Sequence, residues 1–188
     1  MKKICFLLLS ALAISSLLKA QYQRPLGSEL SIGVEGALPM GGWDIGDGSG
    51  TKLSSFGVGV TAKYAYNFTE KVAGTFQTGY IYFPGKTFPG GKVNSGQIPF
   101  KVGVRASSGN FYFEPQLGIS SFDAKANVNA TDITDAESVS GSTTAFTYAI
   151  GLGVMASKNL DLGLRYEAMS KEGTISFLAL RIAYTFPF

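Results

Sequence analysis

A strict two-residue alternation of apolar with small or polar residues dominates this 188-residue sequence. From Leu30 to Leu38, for example, every second residue is apolar or glycine. A period of two residues predicts β-strands, because successive side chains of a strand point to opposite faces. Runs of about ten residues are longer than most strands of globular proteins. The pattern returns in eight segments, although the faces are less clean in the third, which is rich in Tyr and Phe. The segments are 30–38, 56–68, 72–83, 98–105, 111–119, 146–154, 160–167 and 178–188.

The N-terminus has a different pattern, which is typical of a secretory signal. Lys2 and Lys3 precede an apolar run from Ile4 to Leu18, and the small residue Ala20 follows. The run contains serines and is shorter than the roughly 20 residues that a spanning helix needs. We therefore predict a cleaved signal peptide at residues 1–20 and one mature domain at residues 21–188.

Removal of the signal peptide changes the net charge and the cysteine content of the mature chain. Removing Lys2, Lys3 and Lys19 from the 16 Lys and Arg leaves a mature chain neutral against its 13 Asp and Glu. This balance argues against a nucleic-acid partner. The only cysteine, Cys5, leaves as well, and the sequence has no histidine. The commonest general base and metal ligand are therefore absent, and we expect neither a metal nor a cofactor.

The connections between the segments alternate between long and short. This asymmetry is typical of outer-membrane barrels, which have short periplasmic turns and longer outer loops. It predicts that both termini are periplasmic. The long connections are 39–53, 84–97 and 123–144, the short ones are 67–71, 107–110 and 157–159, and 170–174 is a modest last loop.

Alternation alone also fits a soluble lipocalin-type barrel, in which the apolar face turns inward. Two features favour a membrane barrel. The other face is rich in Gly, Ala, Ser and Thr, which suits a crowded interior better than a solvated surface. Aromatic residues also cluster towards both strand ends, as in interfacial girdles. These are Tyr64, Tyr66, Phe68, Phe111, Phe113, Tyr184, Phe186 and Phe188 at the turn end, and Tyr80, Tyr82, Phe146, Tyr148, Tyr166 and Phe177 at the loop end.

The last segment carries a resemblance to a known family. Its apolar residues Leu180, Ile182, Tyr184, Phe186 and Phe188 resemble the C-terminal assembly signature of outer-membrane barrels. The whole mature chain resembles the OmpX-like and OmpA-like outer membrane protein beta-barrel domain family. The resemblance implies an eight-stranded antiparallel up-and-down transmembrane barrel, monomeric in the lipid of the bacterial outer membrane, whose last strand binds the barrel-insertion machinery. We expect no peptidoglycan-binding domain of the kind that some relatives carry, and therefore no cell-wall tether.

The inward face carries charges of both signs, which we expect to pair across strands because unpaired charge in a narrow barrel is costly. They could form a gate or a polar conduction path, or an ion-pair network that fills the lumen; we favour the network. Asp161 and Glu167 could in principle perform acid–base chemistry, but small-barrel enzymes of this type rely on a histidine. We therefore predict no enzyme. The inward charges are Glu35, Lys63, Lys101, Arg105, Glu114, Asp161, Arg165, Glu167 and Arg181.

The outer loops offer few specific signals. Asp44, Asp47, Asp132 and Asp135 could bind Ca²⁺, but their spacing matches no EF-hand, so solvated loop charge is favoured. Trp43 is expected either to anchor at the interface or to contact a partner. The leading prediction is a structural or surface-interaction role, such as envelope integrity, adhesion or recognition of an extracellular ligand by the loops. A narrow porin-like channel and an accessory barrel of a secretion or uptake assembly remain alternatives.

Overall fold

The computed structural model describes residues 26–43, 54–85, 87–88, 91–128, 138–171 and 173–188. Within these residues the chain forms nine β-strands, and no helix is long and apolar enough to cross a membrane. The strands are β1 (Gly27–Gly41), β2 (Gly57–Asn67), β3 (Val72–Phe83), β4 (Thr87–Phe88), β5 (Gly91–Ser108), β6 (Phe111–Val128), β7 (Ser138–Met155), β8 (Leu160–Ser170) and β9 (Thr174–Pro187).

Eight long strands close into a barrel. Each pairs antiparallel with its neighbours in the order β3-β2-β1-β9-β8-β7-β6-β5, and β3 pairs with β5 to complete the circle. The two-residue strand β4 pairs only with the start of β5. Closure matters in lipid, where a backbone group without a hydrogen bond is costly. The predicted eight-stranded up-and-down barrel is confirmed.

The two faces of each strand follow the alternation in the sequence. On β1, Val34 is 59% exposed on the outer face, whereas its neighbour Glu35 is 3% exposed and points into the barrel. The outer face is apolar on every long strand and carries most of the tyrosines and phenylalanines. A barrel with its apolar side chains outside and its charges inside is suited to lipid, so a lipocalin-type arrangement is excluded.

Three short turns lie at one end of the barrel and are closed by local hydrogen bonds. In the turn at residues 68–71, Thr69 Oγ1 accepts the backbone N–H of Val72 at 3.0 Å. Ser157 Oγ accepts the N–H of Leu160 at 3.2 Å in the turn at residues 156–159. The two-residue turn between β5 and β6 has Gly109 at φ +58°, a conformation that favours glycine.

The other end differs from the sequence prediction. The segments 84–97 and 123–144 were expected to be loops, but β5, β6 and β7 are each 18 residues long and continue into them. Their pairing extends to Gly91↔Val128 and Asn127↔Ser138. These extensions are rich in Ser, Gly and Asn, because a sheet beyond the lipid needs no apolar face. The alternation of apolar residues therefore gave no strand signal there.

Candidate functional site

All nine charged residues that the sequence places on the inward face are buried in the lumen. The strands bring them together in two groups of ion pairs, which Arg181 joins because its Nε lies 3.7 Å from Glu35 Oε1. Neither group lies on a single hairpin, because most pairs join strands that are not neighbours in the sheet.

The first group centres on Glu35 of β1. Its carboxylate accepts two parallel hydrogen bonds from Arg165 of β8, from Nη1 and Nη2, both at 2.8 Å. Thr61 Oγ1 at 3.1 Å and Gln77 Nε2 at 3.2 Å also donate to Glu35 Oε1. A bidentate arginine–carboxylate pair fixes geometry as well as charge, so Glu35 ties β8 to three strands on the other side of the lumen.

Glu167 of β8 extends this group towards β5. It pairs with Lys101 of β5, whose Nζ donates to Oε2, and both side chains are fully buried. Gln97 Nε2 donates to Glu167 Oε1 at 2.6 Å, and Arg165 Nε lies 2.9 Å from Oε2. Arg165 therefore lies between two carboxylates, and the group crosses the lumen from β1 to β5.

The second group centres on Glu114 of β6. Arg105 Nε donates to Oε2 at 2.8 Å and Lys63 Nζ at 3.2 Å, while Gln116 Nε2 at 2.6 Å and Thr75 Oγ1 at 3.4 Å donate to Oε1. Two cations and two neutral donors thus surround one carboxylate. Since Lys63 is on β2, this contact also crosses the lumen.

Asp161 of β8 completes the second group. Arg181 Nη1 donates to Asp161 Oδ2 at 3.0 Å, and Lys63 Nζ lies 3.7 Å from the same oxygen. Tyr112 donates its phenol proton to Asp161 Oδ1 at 2.6 Å. Every carboxylate among the nine residues therefore has at least one cation within 4.0 Å.

The Tyr112 ring fills much of the space in this group. The guanidinium carbon of Arg105 lies 4.8 Å from the ring centre, a cation–π distance. Glycines at inward positions of β7 and β8 make room for the ring, because a Cβ at Gly153 would collide with it and one at Gly163 would lie 3.0 Å from its hydroxyl. A residual cavity of about 20 Å³ beside this group is large enough for about one water molecule.

Glu29 is a member of the network that the sequence analysis missed. It is buried on the inward face of β1, and its Oε2 lies 3.5 Å from Arg105 Nη1. The alternation was read from Leu30 onward, so the strand was started too late. Extending the same period by one inward position would have found Glu29. With Glu29 included, the ten buried charges of the described residues balance at five of each sign.

An aromatic cap closes the lumen at the loop end, above the ion pairs. The cap is built around Trp43, Phe83 and Phe177, with ring centres 4.5 Å apart for Trp43–Phe83 and 5.5 Å for Phe83–Phe177. Trp43 also donates its indole N–H to the backbone oxygen of Ser176 at 2.8 Å. Smaller apolar residues, including Ile81 and Met169, pack around the three rings.

Two predictions fail at this cap. Phe177 was assigned to the lipid-facing girdle, but it is 0% exposed and points inward, because the alternation of β9 puts it on the same face as Ala179 and Arg181. Trp43 was expected at the interface or against a partner, but it is 2% exposed inside the barrel. An aromatic residue at a strand end can face either the lipid or the lumen, so residue type alone could not predict which way Phe177 and Trp43 point.

The other singled-out residues lie outside the lumen or outside the described part of the chain. The C-terminal residues Leu180, Ile182, Tyr184, Phe186 and Phe188 all face outward, as one exposed apolar row. The predicted signal peptide and the four loop carboxylates, Asp44, Asp47, Asp132 and Asp135, fall outside the described residues.

Comparison with known proteins agrees with this geometry. The family model for the outer membrane protein beta-barrel domain matches residues 5–186. The chain belongs to this family. Membership in the outer membrane protein beta-barrel domain family indicates a location in the bacterial outer membrane. No curated protein sequence is detectably similar to the chain.

Solved structures of other barrels show the same fold. Ail, the attachment invasion locus protein of Yersinia pestis, is 18% identical with a TM-score of 0.65, over 86% of this chain and 100% of Ail. Neisserial surface protein A is 12% identical with a TM-score of 0.54, over 86% of this chain and 97% of that protein. The N-terminal β-barrel domain of Pseudomonas aeruginosa OprF is 13% identical with a TM-score of 0.52, over 87% and 100%. At these identities the likeness concerns the fold alone.

Proposed function

We propose that this family member is a structural and surface-interaction barrel that binds through the sheet projecting from its loop end. The observation that carries the proposal is the edge of β7. Its pairing with β8 begins at Phe146↔Ser170, whereas its pairing with β6 continues to Ser138. Residues 138–145 of β7 therefore have a strand neighbour on one side only, among the residues that the structure describes.

The opposite edge of the projecting sheet is occupied. Gly91 and Lys92 of β5 pair with β4, and Ser54 forms a bridge with Gly85 nearby. An uncovered strand edge presents backbone donors and acceptors to which another extended chain can add. The asymmetry between the two edges supports the β7 side as the contact surface, with an extended polypeptide as the partner.

The filled lumen argues against the narrow-channel alternative. Ten paired charges and the aromatic cap occupy the interior, as is common in barrels of this size. We expect the refolded protein to be silent in a planar bilayer at the single-channel level. Discrete conductance in wild type that changes when Arg105 and Arg181 are both replaced by alanine would instead identify a channel with a charged constriction.

The proposed orientation, with both termini periplasmic, can be tested with cysteine labelling. Gly141 is exposed on the β7 edge with no atom near its Cβ position, and Lys158 is exposed in a turn at the other end. We expect an impermeant maleimide to label Gly141→Cys, and not Lys158→Cys, on intact cells. The reverse result would invert the topology. Mass spectrometry of the purified protein would test removal of residues 1–20.

Strand addition can be tested with two single variants, Ser140→Pro and Gly141→Pro. Neighbouring N–H groups of a strand point to opposite edges, so only one of the two removes a donor from the open edge. We expect the variant that removes the open-edge donor to reduce attachment of expressing cells to a protein-coated surface more than the other variant does, while both barrels still fold. Ail has been solved with the heparin analogue sucrose octasulfate, so heparin-coated beads serve as a comparison surface, to which strand addition does not apply because a polysaccharide has no peptide backbone. Unchanged attachment to every surface in both variants would contradict the proposal.

A further inference from the structure

A cup of about 400 Å³ opens at the loop end of the lumen, on top of the aromatic cap. Its apolar wall is formed by Phe122 of β6, Ala145 of β7, Met169 of β8 and Ile175 of β9. These are inward positions of four consecutive strands. The volume falls within the range of sites that bind small molecules.

The rim of the cup is polar and carries a cation. Lys171, directly after β8, is exposed, and its Nζ donates to Thr143 Oγ1 at 2.5 Å. Thr174 adds a second hydroxyl-bearing residue to the rim. None of the described residues that line the cup is acidic. Among the described residues of the cup, the positive charge at the rim therefore has no carboxylate partner, in contrast to the paired charges deeper in the lumen.

From this arrangement we infer that the mouth of the barrel binds a small amphipathic anion, with its apolar part in the cup and its negative group at Lys171. An apolar pocket with a few polar groups at one end orients such a ligand, because only one end can satisfy the charge. The ammonium of Lys171 would exchange its contact with Thr143 for the stronger contact with an anion.

The cup shares Thr143 and Ala145 with the projecting edge of β7, but it uses their inward side chains and does not depend on the proposed function. The edge would bind an extended polypeptide through backbone groups, whereas the cup would bind a small molecule through side chains. The site also lies above the cap, so binding requires no passage through the lumen.

Trp43 provides a direct reporter, because it is the only tryptophan of the chain. Its ring centre lies 6.0 Å from that of Phe122, which lines the cup, and the adjacent Gly42 also lines it. A ligand in the cup should therefore change Trp43 emission. The experiment titrates the full-length mature barrel, reconstituted in lipid nanodiscs, with octanoate and separately with octylammonium, which has the same chain and the opposite charge.

We expect a saturable change in Trp43 emission with octanoate and none with octylammonium. Lys171→Met should raise the octanoate Kd about fivefold, the size of one solvent-exposed charge contact. Lys158→Met, at the opposite end of the barrel, should leave it unchanged. Ala145→Leu, which fills the cup, should abolish the saturable change while an unheated gel sample still migrates as a folded barrel.

Three results would overturn the inference. Octylammonium could produce the same change as octanoate, which would indicate partition into the lipid. The octanoate change could survive in Ala145→Leu, which would place the ligand elsewhere. Absence of any saturable change in wild type, with folding verified, would show that the cup does not bind this class of anion.

Discussion

Replacement of Glu35 by glutamine tests whether the ion-pair network stabilises the barrel. Glu35→Gln keeps the shape of the side chain but removes the charge that faces Arg165 at 2.8 Å through two hydrogen bonds. Loss of one partner from a buried pair typically costs 3–5 kcal/mol, because the other charge stays buried. Arg165 keeps Glu167 at 2.9 Å, so we expect the lower end, about 3 kcal/mol. Equilibrium unfolding by guanidinium in lipid vesicles measures the difference.

Two controls make this measurement specific to the network. Glu70→Gln removes a carboxylate from an exposed turn and should change the free energy of unfolding by less than about 0.5 kcal/mol. Adding Arg165→Met to Glu35→Gln removes both partners, so the double variant should be at least about 1 kcal/mol more stable than the sum of the single effects predicts. A loss below about 1 kcal/mol for Glu35→Gln, or additivity of the two changes, would refute the reasoning.

Three other predictions concern the rest of the barrel. Gly153→Ala should destabilise it by about 1–3 kcal/mol, since the new Cβ collides with Tyr112, whereas Gly36→Ala faces open space and should be close to neutral in the same unfolding assay. Phe177→Ala should cost about 3–5 kcal/mol by opening a cavity in the cap, yet planar bilayers should stay silent because the ion pairs below still fill the lumen; conductance would show that the cap alone seals the barrel. Deletion of Phe188 should reduce insertion, so an equal yield of protease-resistant barrel would contradict its role in assembly.

The sequence predicts the barrel well because lipid imposes a strict rule on each spanning strand. Where every second side chain must be apolar, the period alone identifies the strand and its two faces, as Val34 and Glu35 illustrate. The same rule predicts which charges enter the lumen. The rule no longer applies at the ends of the strands, where side chains leave the lipid. For this reason the sequence analysis missed the buried position of Glu29 and the inward position of Phe177.

The partners within the lumen could not be predicted at all. Which cation reaches which carboxylate depends on the shear of the closed barrel, which sets the heights of strands far apart in sequence. Lys63 contacts Glu114, 51 residues away, rather than a charge on an adjacent strand. Likewise, the projecting part of β5, β6 and β7 has no periodic signal, because its surroundings are aqueous and its strands need only hydrogen bonds.

The contacts across the lumen have a consequence for assembly. Glu35 and Arg165 lie on β1 and β8, Lys63 and Glu114 on β2 and β6, and Lys101 and Glu167 on β5 and β8. The β8–β9 hairpin can pair its own four charges, and Arg105 pairs with Glu114 within β5–β6. Lys63, Lys101 and Glu35 find their partners only in the closed barrel, so an open intermediate sheet would present these three charges unpaired to lipid. These contacts across the lumen form only when the barrel closes, which favours a single concerted closure over a stable, partly inserted intermediate.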